Sequence, residues 1–243
     1  MQVSKIQRRF GSALENHFIL ERLGCLQGKR VLDIGCGLGE SSITFALRGA
    51  TVTATDISPR MVAFTQELAA KNEVKVEGKV GAAEVLTLED ASFDVIYAAN
   101  MIHHLADKTV FLDRIQRWLA PTGLFCSWDP VKYNPIINVY RKLATDVRTE
   151  DEEPLGLGDL QLLSQHFSKV EHHHFWLLSL SLFLKYFLID RVSPNEDRYW
   201  KRIYKETDRS LWWWKPLNRA DEFLLRIPGL RWLSWNVVFL AQK

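Results

Sequence analysis

Cysteine is scarce in this chain. The 243 residues hold three, Cys25, Cys36 and Cys126. No two share a C-x-x-C spacing and an odd number cannot pair completely, so no disulfide framework is expected and a reducing, cytoplasmic setting is. Long apolar runs are missing as well. The longest, FWLLSLSLFLKYFLI at 175–189, has fifteen residues interrupted by Lys185, short of the roughly 20 needed to cross a bilayer core. The opening MQVSKIQRRF has no apolar stretch of the secretory kind. Repeats and low-complexity tracts are absent, and a net charge of +2 is too small to imply a nucleic-acid partner.

What the chain does have is an alternation. RVLDIG, TVTATD, VKVEGKV, FDVIYAAN and GLFCSWD read as five short apolar strands. Between them, GESSITFALRGA, SPRMVAFTQELAAKN and DKTVFLDRIQRWLA read as helices, the second with Ser58 as N-cap and Pro59 at the first position. SALENHFILERLGC precedes them as an N-terminal helix, and PTG is expected to stop the helix at 107–120. Strands alternating with helices imply a parallel sheet covered on both faces. Past Asp129 the rhythm changes to a long polar connection, with 136–146 as a possible helix. GDLQLLSQHF then reads as a helix, KVEHHHFW as a sixth strand and SWNVVFLAQK as a seventh. The expectation is a single α/β domain over 1–243, with residues 177–232 as a helical, Trp-rich C-terminal cap inserted between the last two strands.

The chemistry concentrates in VLDIGCGLGESS, residues 31–42. A strand that ends in a glycine turn and leads into a helix offers backbone N–H groups and a positive dipole end to a ligand. The dinucleotide fingerprint is G-x-G-x-x-G with an acid about 20 residues on. Here Gly35, Gly37 and Gly39 alternate, so the third glycine comes one residue early, and Asp33 stands just ahead of the first. A carboxylate crowded against the turn opposes a pyrophosphate and suits a ligand with a cationic end. Asp56, closing the second strand, falls where an acid accepts both ribose hydroxyls. The inferred ligand is an adenosine with an amino-acid or sulfonium tail. An NAD-dependent dehydrogenase is the rival that this spacing disfavours.

VLDIGCGLG with Asp56, GAAEVLTLEDASFDVIYAANMIHHLAD and LAPTGLF together resemble class I S-adenosylmethionine (SAM)-dependent methyltransferases, in the small-molecule branch that includes ubiquinone/menaquinone-type enzymes. The resemblance covers about residues 28–130. It implies a doubly wound, Rossmann-like seven-strand sheet with the last strand antiparallel, SAM as cofactor and methyl transfer to a small acceptor. It also implies that Asp33 and Gly35 lie beside the methionine portion, that Asp56 holds the ribose, that Ile57 packs on the adenine and that Asn100 sits near the methionyl end. One position departs. The family often has Asp after the glycine of GAAE, where this chain has Ala82, which leaves the adenine amine to the backbone of Ala83 or the side chain of Glu84.

Methyl transfer from a sulfonium is an in-line displacement that needs a base only when the acceptor must lose a proton. His103 and His104 follow the fourth strand, at the edge where open α/β sheets bind ligands, either as that base or as pocket walls. Asp129 ends the fifth strand and Tyr133, Asn134, Tyr140 and Arg141 follow it, as acceptor contacts, part of a lid, or a solvated loop. His172 and His174 share one face of a strand and His173 points away, so the HHH run supplies at most two metal ligands and no metal site is expected.

Seven of the nine tryptophans lie beyond residue 175, three of them consecutive at 212–214. Residues 177–231 carry eleven Lys and Arg against seven Asp and Glu, a local +4. Such a segment suits a hydrophobic or lipid-like acceptor, methylated at oxygen or carbon, and peripheral contact at the inner face of a membrane. Rings that wall an apolar pocket are the plainer reading. Two further rivals remain: another transfer from the same adenosyl site, such as aminopropyl transfer, and a non-catalytic, membrane-associated protein on this fold.

Overall fold

The computed structural model describes residues 13–144, 146, 152–196 and 199–243. Helix α1 (Leu14–Leu23) leads into strand β1 (Arg30–Ile34), helix α2 (Glu40–Leu47), β2 (Thr51–Asp56), α3 (Pro59–Lys71), β3 (Val76–Val80) and β4 (Phe93–Ala99). A 3-10 turn, Ile102–His104, precedes α4 (Lys108–Trp118) and β5 (Leu119–Pro130). Then come α5 (Pro135–Leu143), α6 (Leu157–His166), β6 (Lys169–Phe175), α7 (Ser181–Leu184), a π-helical turn (Lys185–Ile189), α8 (Tyr199–Leu224) and β7 (Asn236–Gln242).

Among the described residues seven strands form one mixed sheet in the order β3-β2-β1-β4-β5-β7-β6. β1 to β5 pair in parallel, with Asp33 opposite Ala54 on one side and Tyr97 on the other. β7 is antiparallel: the Ser168 N–H donates to the Gln242 carbonyl, and the Trp235 N–H to Phe175, so the two strands run in opposite senses. Apolar side chains at consecutive strand positions, such as Val95, Ile96 and Tyr97, are buried on both faces, as helices on each side require.

Contact density divides the chain into two compact units. The first comprises Met1–Trp128, Leu157–His172 and Val238–Lys243, and the second Asp129–Gly156 and His173–Val237. In the first unit, α1 and α2 cover one face. The Phe45 ring meets Tyr97 edge-on at 5.2 Å, and the Tyr97 hydroxyl donates to Asn16 Oδ1 at 2.7 Å. The Trp128 indole N–H donates to the same oxygen at 3.0 Å. The other face carries Phe111, Phe125 and Phe167 in a ring ladder, with α4 tied to α6 by the half-buried Lys108–Asp159 pair at 2.9 Å. Asp107 caps α4 by accepting from the Thr109 and Val110 N–H groups. Ser58 stands at the N-cap of α3 but makes no side-chain cap bond. Asp56 Oδ1 takes the Ser58 N–H instead, at 2.9 Å.

The PTG segment is not a break between helix and strand. β5 begins directly after α4 at Leu119, which pairs with Phe93, and the register then shifts so that Val95 faces Leu124. The extra residues are accommodated because Gly123 has no side chain: a Cβ there would stand 2.8 Å from Leu119 and 3.1 Å from the Phe93 carbonyl oxygen.

In the second unit, the turn after β6 is held by one carboxylate of α8. Asp221, 2% exposed, accepts from the N–H groups of Leu177, Leu178 and Ser179 and from the Ser179 hydroxyl. Trp176, Trp214 and Trp232 are all buried, and Trp176 packs on Trp214 and Trp235. The side chains of Trp200, Trp212 and Trp213 lie outside the described residues.

Candidate adenosyl-ligand site

The turn between β1 and α2 is built from three left-handed glycines, Gly35 (φ 70°), Gly37 (φ 50°) and Gly39 (φ 77°). The Gly35 and Cys36 N–H groups both donate to the Thr55 carbonyl, at 2.8 and 2.9 Å, which draws the turn over the end of β2. Gly39 is the tightest point. A Cβ there would lie 2.7–3.0 Å from three atoms of Thr65 on α3, itself 0% exposed. A Cβ on Gly37 would meet nothing within 4 Å, so that stretch of backbone is open to a ligand.

Two carboxylates flank the turn. Asp33 is buried, and one of its oxygens accepts from the Ser41 hydroxyl at 2.5 Å and from Ser42. Burial pushes its carboxyl up to about 6 from 3.8, opposed by the Ser41 and Ser42 hydrogen bonds, while the charge of Asp56 adds to the rise. Asp56 is half-buried. It gives Oδ2 to the Gly37 N–H and Oδ1 to the Ser58 N–H, both at 2.9 Å. Each of its oxygens keeps a second lone pair for a ligand. The site therefore concentrates negative charge, part of it desolvated. Such a site stabilises a cation and repels phosphate.

Other candidate residues of the first unit lie at the carboxyl ends of β2, β3 and β4. The Gly81 N–H donates to the Asp56 carbonyl at 3.0 Å, bringing the 81–84 turn alongside; Ala83 is buried and Glu84 half-buried. Ile57 is 73% exposed, an apolar side chain left open to solvent directly after Asp56. Asn100 is exposed at φ 54°, fixed by its N–H on the Trp128 carbonyl. Met101 follows, 3.4 Å from where a Gly35 Cβ would be. His103 is buried and His104 exposed, their rings 4.0 Å apart. Asp129 belongs to the second unit and is wholly buried, as is Asn134, which caps α5 through the Ile137 N–H. Arg141 donates to the Val131 carbonyl. His174 Nδ1 lies 2.9 Å from the Ser234 hydroxyl.

Ser41, Ser42 and Thr65 were not anticipated. The two serines stand in plain view in GESS, but their role depends on the first turn of α2 folding back over Asp33. Thr65, 26 residues beyond Gly39, carries no local signal.

The desolvated Asp33 has a consequence for stability. A carboxyl that titrates near 6 in the fold and near 3.8 unfolded holds its proton more tightly in the native state between those values. Its contribution therefore falls by about 3 kcal/mol as pH rises from about 4 to 6, and is constant above. Asp33→Asn, which keeps an oxygen for the two serines, is expected to remove that slope. The measurement is the wild-type minus variant difference in urea unfolding free energy at pH 4, 5, 6 and 7. A difference independent of pH contradicts the assignment.

Fold and turn together give a Rossmann-like α/β sheet with a bare glycine turn at the carboxyl end of β1. Residues 32–127 match the family described as a methyltransferase domain. A ubiquinone biosynthesis O-methyltransferase of Xanthomonas oryzae pv. oryzae is 38% identical over 104 residues, 42% of this chain and 44% of that protein. The match thus spans less than half of that relative's length. One of the same name from Rhizobium leguminosarum bv. trifolii is 29% identical over 71% of this chain and 75% of its own. Among solved structures, a phosphoethanolamine N-methyltransferase 2 of Haemonchus contortus, in complex with phosphomonomethylethanolamine and S-adenosylhomocysteine, superposes with a TM-score of 0.61 at 22% identity. That likeness covers 93% of this chain and 51% of that one, and it is one of fold.

Proposed function

We propose that the protein is a SAM-dependent methyltransferase acting on a small, hydrophobic acceptor. The observation that carries this reading is the pair of carboxylates, Asp33 and Asp56, set against a bare glycine turn. The methyltransferase-domain match and the relatives named for ubiquinone biosynthesis support it. Bound there, SAM would supply a methyl carbon already activated by its sulfonium.

The protein's share is positioning, worth about 7–11 kcal/mol where reacting atoms are held in line. Asp33 balances the cationic methionyl end, Asp56 takes the ribose diol, Ile57 covers the adenine, and the 83–84 turn and Asn100 close the rim. For a hydroxyl acceptor, His103 or His104 would take the proton that the acceptor oxygen gives up on methylation. Peripheral contact with a membrane through residues 177–232 belongs to the same reading. Among the described residues no helix is long and apolar enough to cross one.

Calorimetric titration of the ligand-stripped protein with SAM, S-adenosylhomocysteine and NADH tests the reading. Micromolar binding of both adenosyl compounds with NADH silent is the expected result; binding of NADH alone overturns it.

A further inference from the structure

The second unit exposes apolar side chains in a pattern its own core does not call for. Leu184, Phe187, Leu188 and Ile189 lie within six residues, the last two 65% and 73% exposed. Phe187, Leu188 and Ile189 are consecutive on the π-helical turn, so they fan out over about half of its circumference.

The turn that carries them is braced from behind. Lys185 Nζ reaches both oxygens of Asp190, at 3.0 and 2.8 Å, and Arg202 reaches Asp190 at 3.2 Å. The Arg202 guanidinium also lies 4.7 Å from the centre of the Tyr186 ring, which is buried. One acid is thus matched by two cations, and Arg191, exposed two residues beyond Ile189, adds further positive charge beside the projection. Next to it opens a groove of about 220 Å³ walled by Val139, Tyr140, Phe183, Leu184, Phe187 and Tyr199. Leu184 and Phe187 belong to both groove and projection.

Three adjacent large apolar side chains left open to solvent suit a partner that can be penetrated. The surrounding cations suit one that is anionic. A groove without charged walls suits a single hydrocarbon chain. We propose that this unit docks on an anionic phospholipid bilayer by inserting Phe187, Leu188 and Ile189 between the lipids, with the groove receiving a lipid chain. The inference rests on the membrane contact put forward above and moves it from the tryptophans to residues 184–191. Methyl transfer is not required for it.

The test is flotation of the full chain with vesicles of phosphatidylcholine alone and of phosphatidylcholine mixed equally with phosphatidylglycerol. The wild type is compared with a Leu188→Ser, Ile189→Ser double variant, changed only where the fold is exposed. The wild type should float with the anionic vesicles, less so at high salt, and the double variant should bind them at least tenfold more weakly. Equal binding by the two proteins, or no flotation of the wild type, overturns the proposal. So does a dimer, seen by light scattering without lipid, that the double variant dissolves. SAM titration of both proteins separates the two readings. Vesicle binding lost in the variant without SAM binding in either protein leaves the docking intact and removes the enzyme.

Discussion

Asp56→Ala should weaken SAM binding at least a hundredfold. Two hydrogen bonds from a ribose diol to a carboxylate contribute about 1.5–3 kcal/mol each, and about 3 kcal/mol in total is already more than a factor of 100. The same carboxylate holds the Gly37 and Ser58 N–H groups, so its loss also loosens the turn and the start of α3. Asp56→Asn separates these effects. It keeps one acceptor oxygen, and its amide can donate to a ribose hydroxyl, so binding should fall less and thermal stability should stay closer to the wild type. Calorimetry gives the affinities and thermal melts the stabilities. An Asp56→Ala protein that binds SAM as the wild type does would remove Asp56 from the site.

Gly39→Ala should cost about 2–4 kcal/mol of stability. A left-handed alanine costs about 1 kcal/mol, and forcing a methyl group against buried Thr65 costs a further 1–3 kcal/mol. The clash has a named partner, so it can be isolated by a double-mutant cycle. In a Thr65→Ala background the methyl loses its two closest obstacles, Oγ1 and Cγ2, and the cost of Gly39→Ala should drop toward that of the backbone alone. Urea unfolding of the four proteins measures this. Additive costs would mean that Thr65 does not press on the turn.

The parts of this fold that are legible in sequence are those set by local pattern. TVTATD is β2 residue for residue, and FDVIYAAN overruns β4 by one, because β-branched, aromatic and small apolar residues dominate both segments between polar turns. Gly35, Gly37 and Gly39 are equally plain, since a chain that must turn left-handed three times in five residues has little choice but glycine. What escapes is whatever depends on distant partners. Asn16, Tyr97 and Trp128 share hydrogen bonds across 112 positions, and none is unusual in its own neighbourhood. PTG reads as a helix stop because proline and glycine punctuate most chains; only pairing with Phe93 shows that Leu119 has already entered the sheet. The run 175–189 reads the same whether its side chains face inward or outward, so Tyr186 buried beside Phe187 exposed was beyond reach.

The position of β7 between β5 and β6 also dictates an order of assembly. β2 to β5 can each add to a strand already made. β6 cannot, because its only neighbour in the sheet is β7, and residues 176–235, sixty of them, come between. At about 5–20 residues per second on the ribosome, β6 and the free edge of β5 wait roughly 3–12 s for each other's common partner. The apolar run that follows β6 emerges in that interval, when it is most open to chaperones, to a lipid surface, or to its own copies.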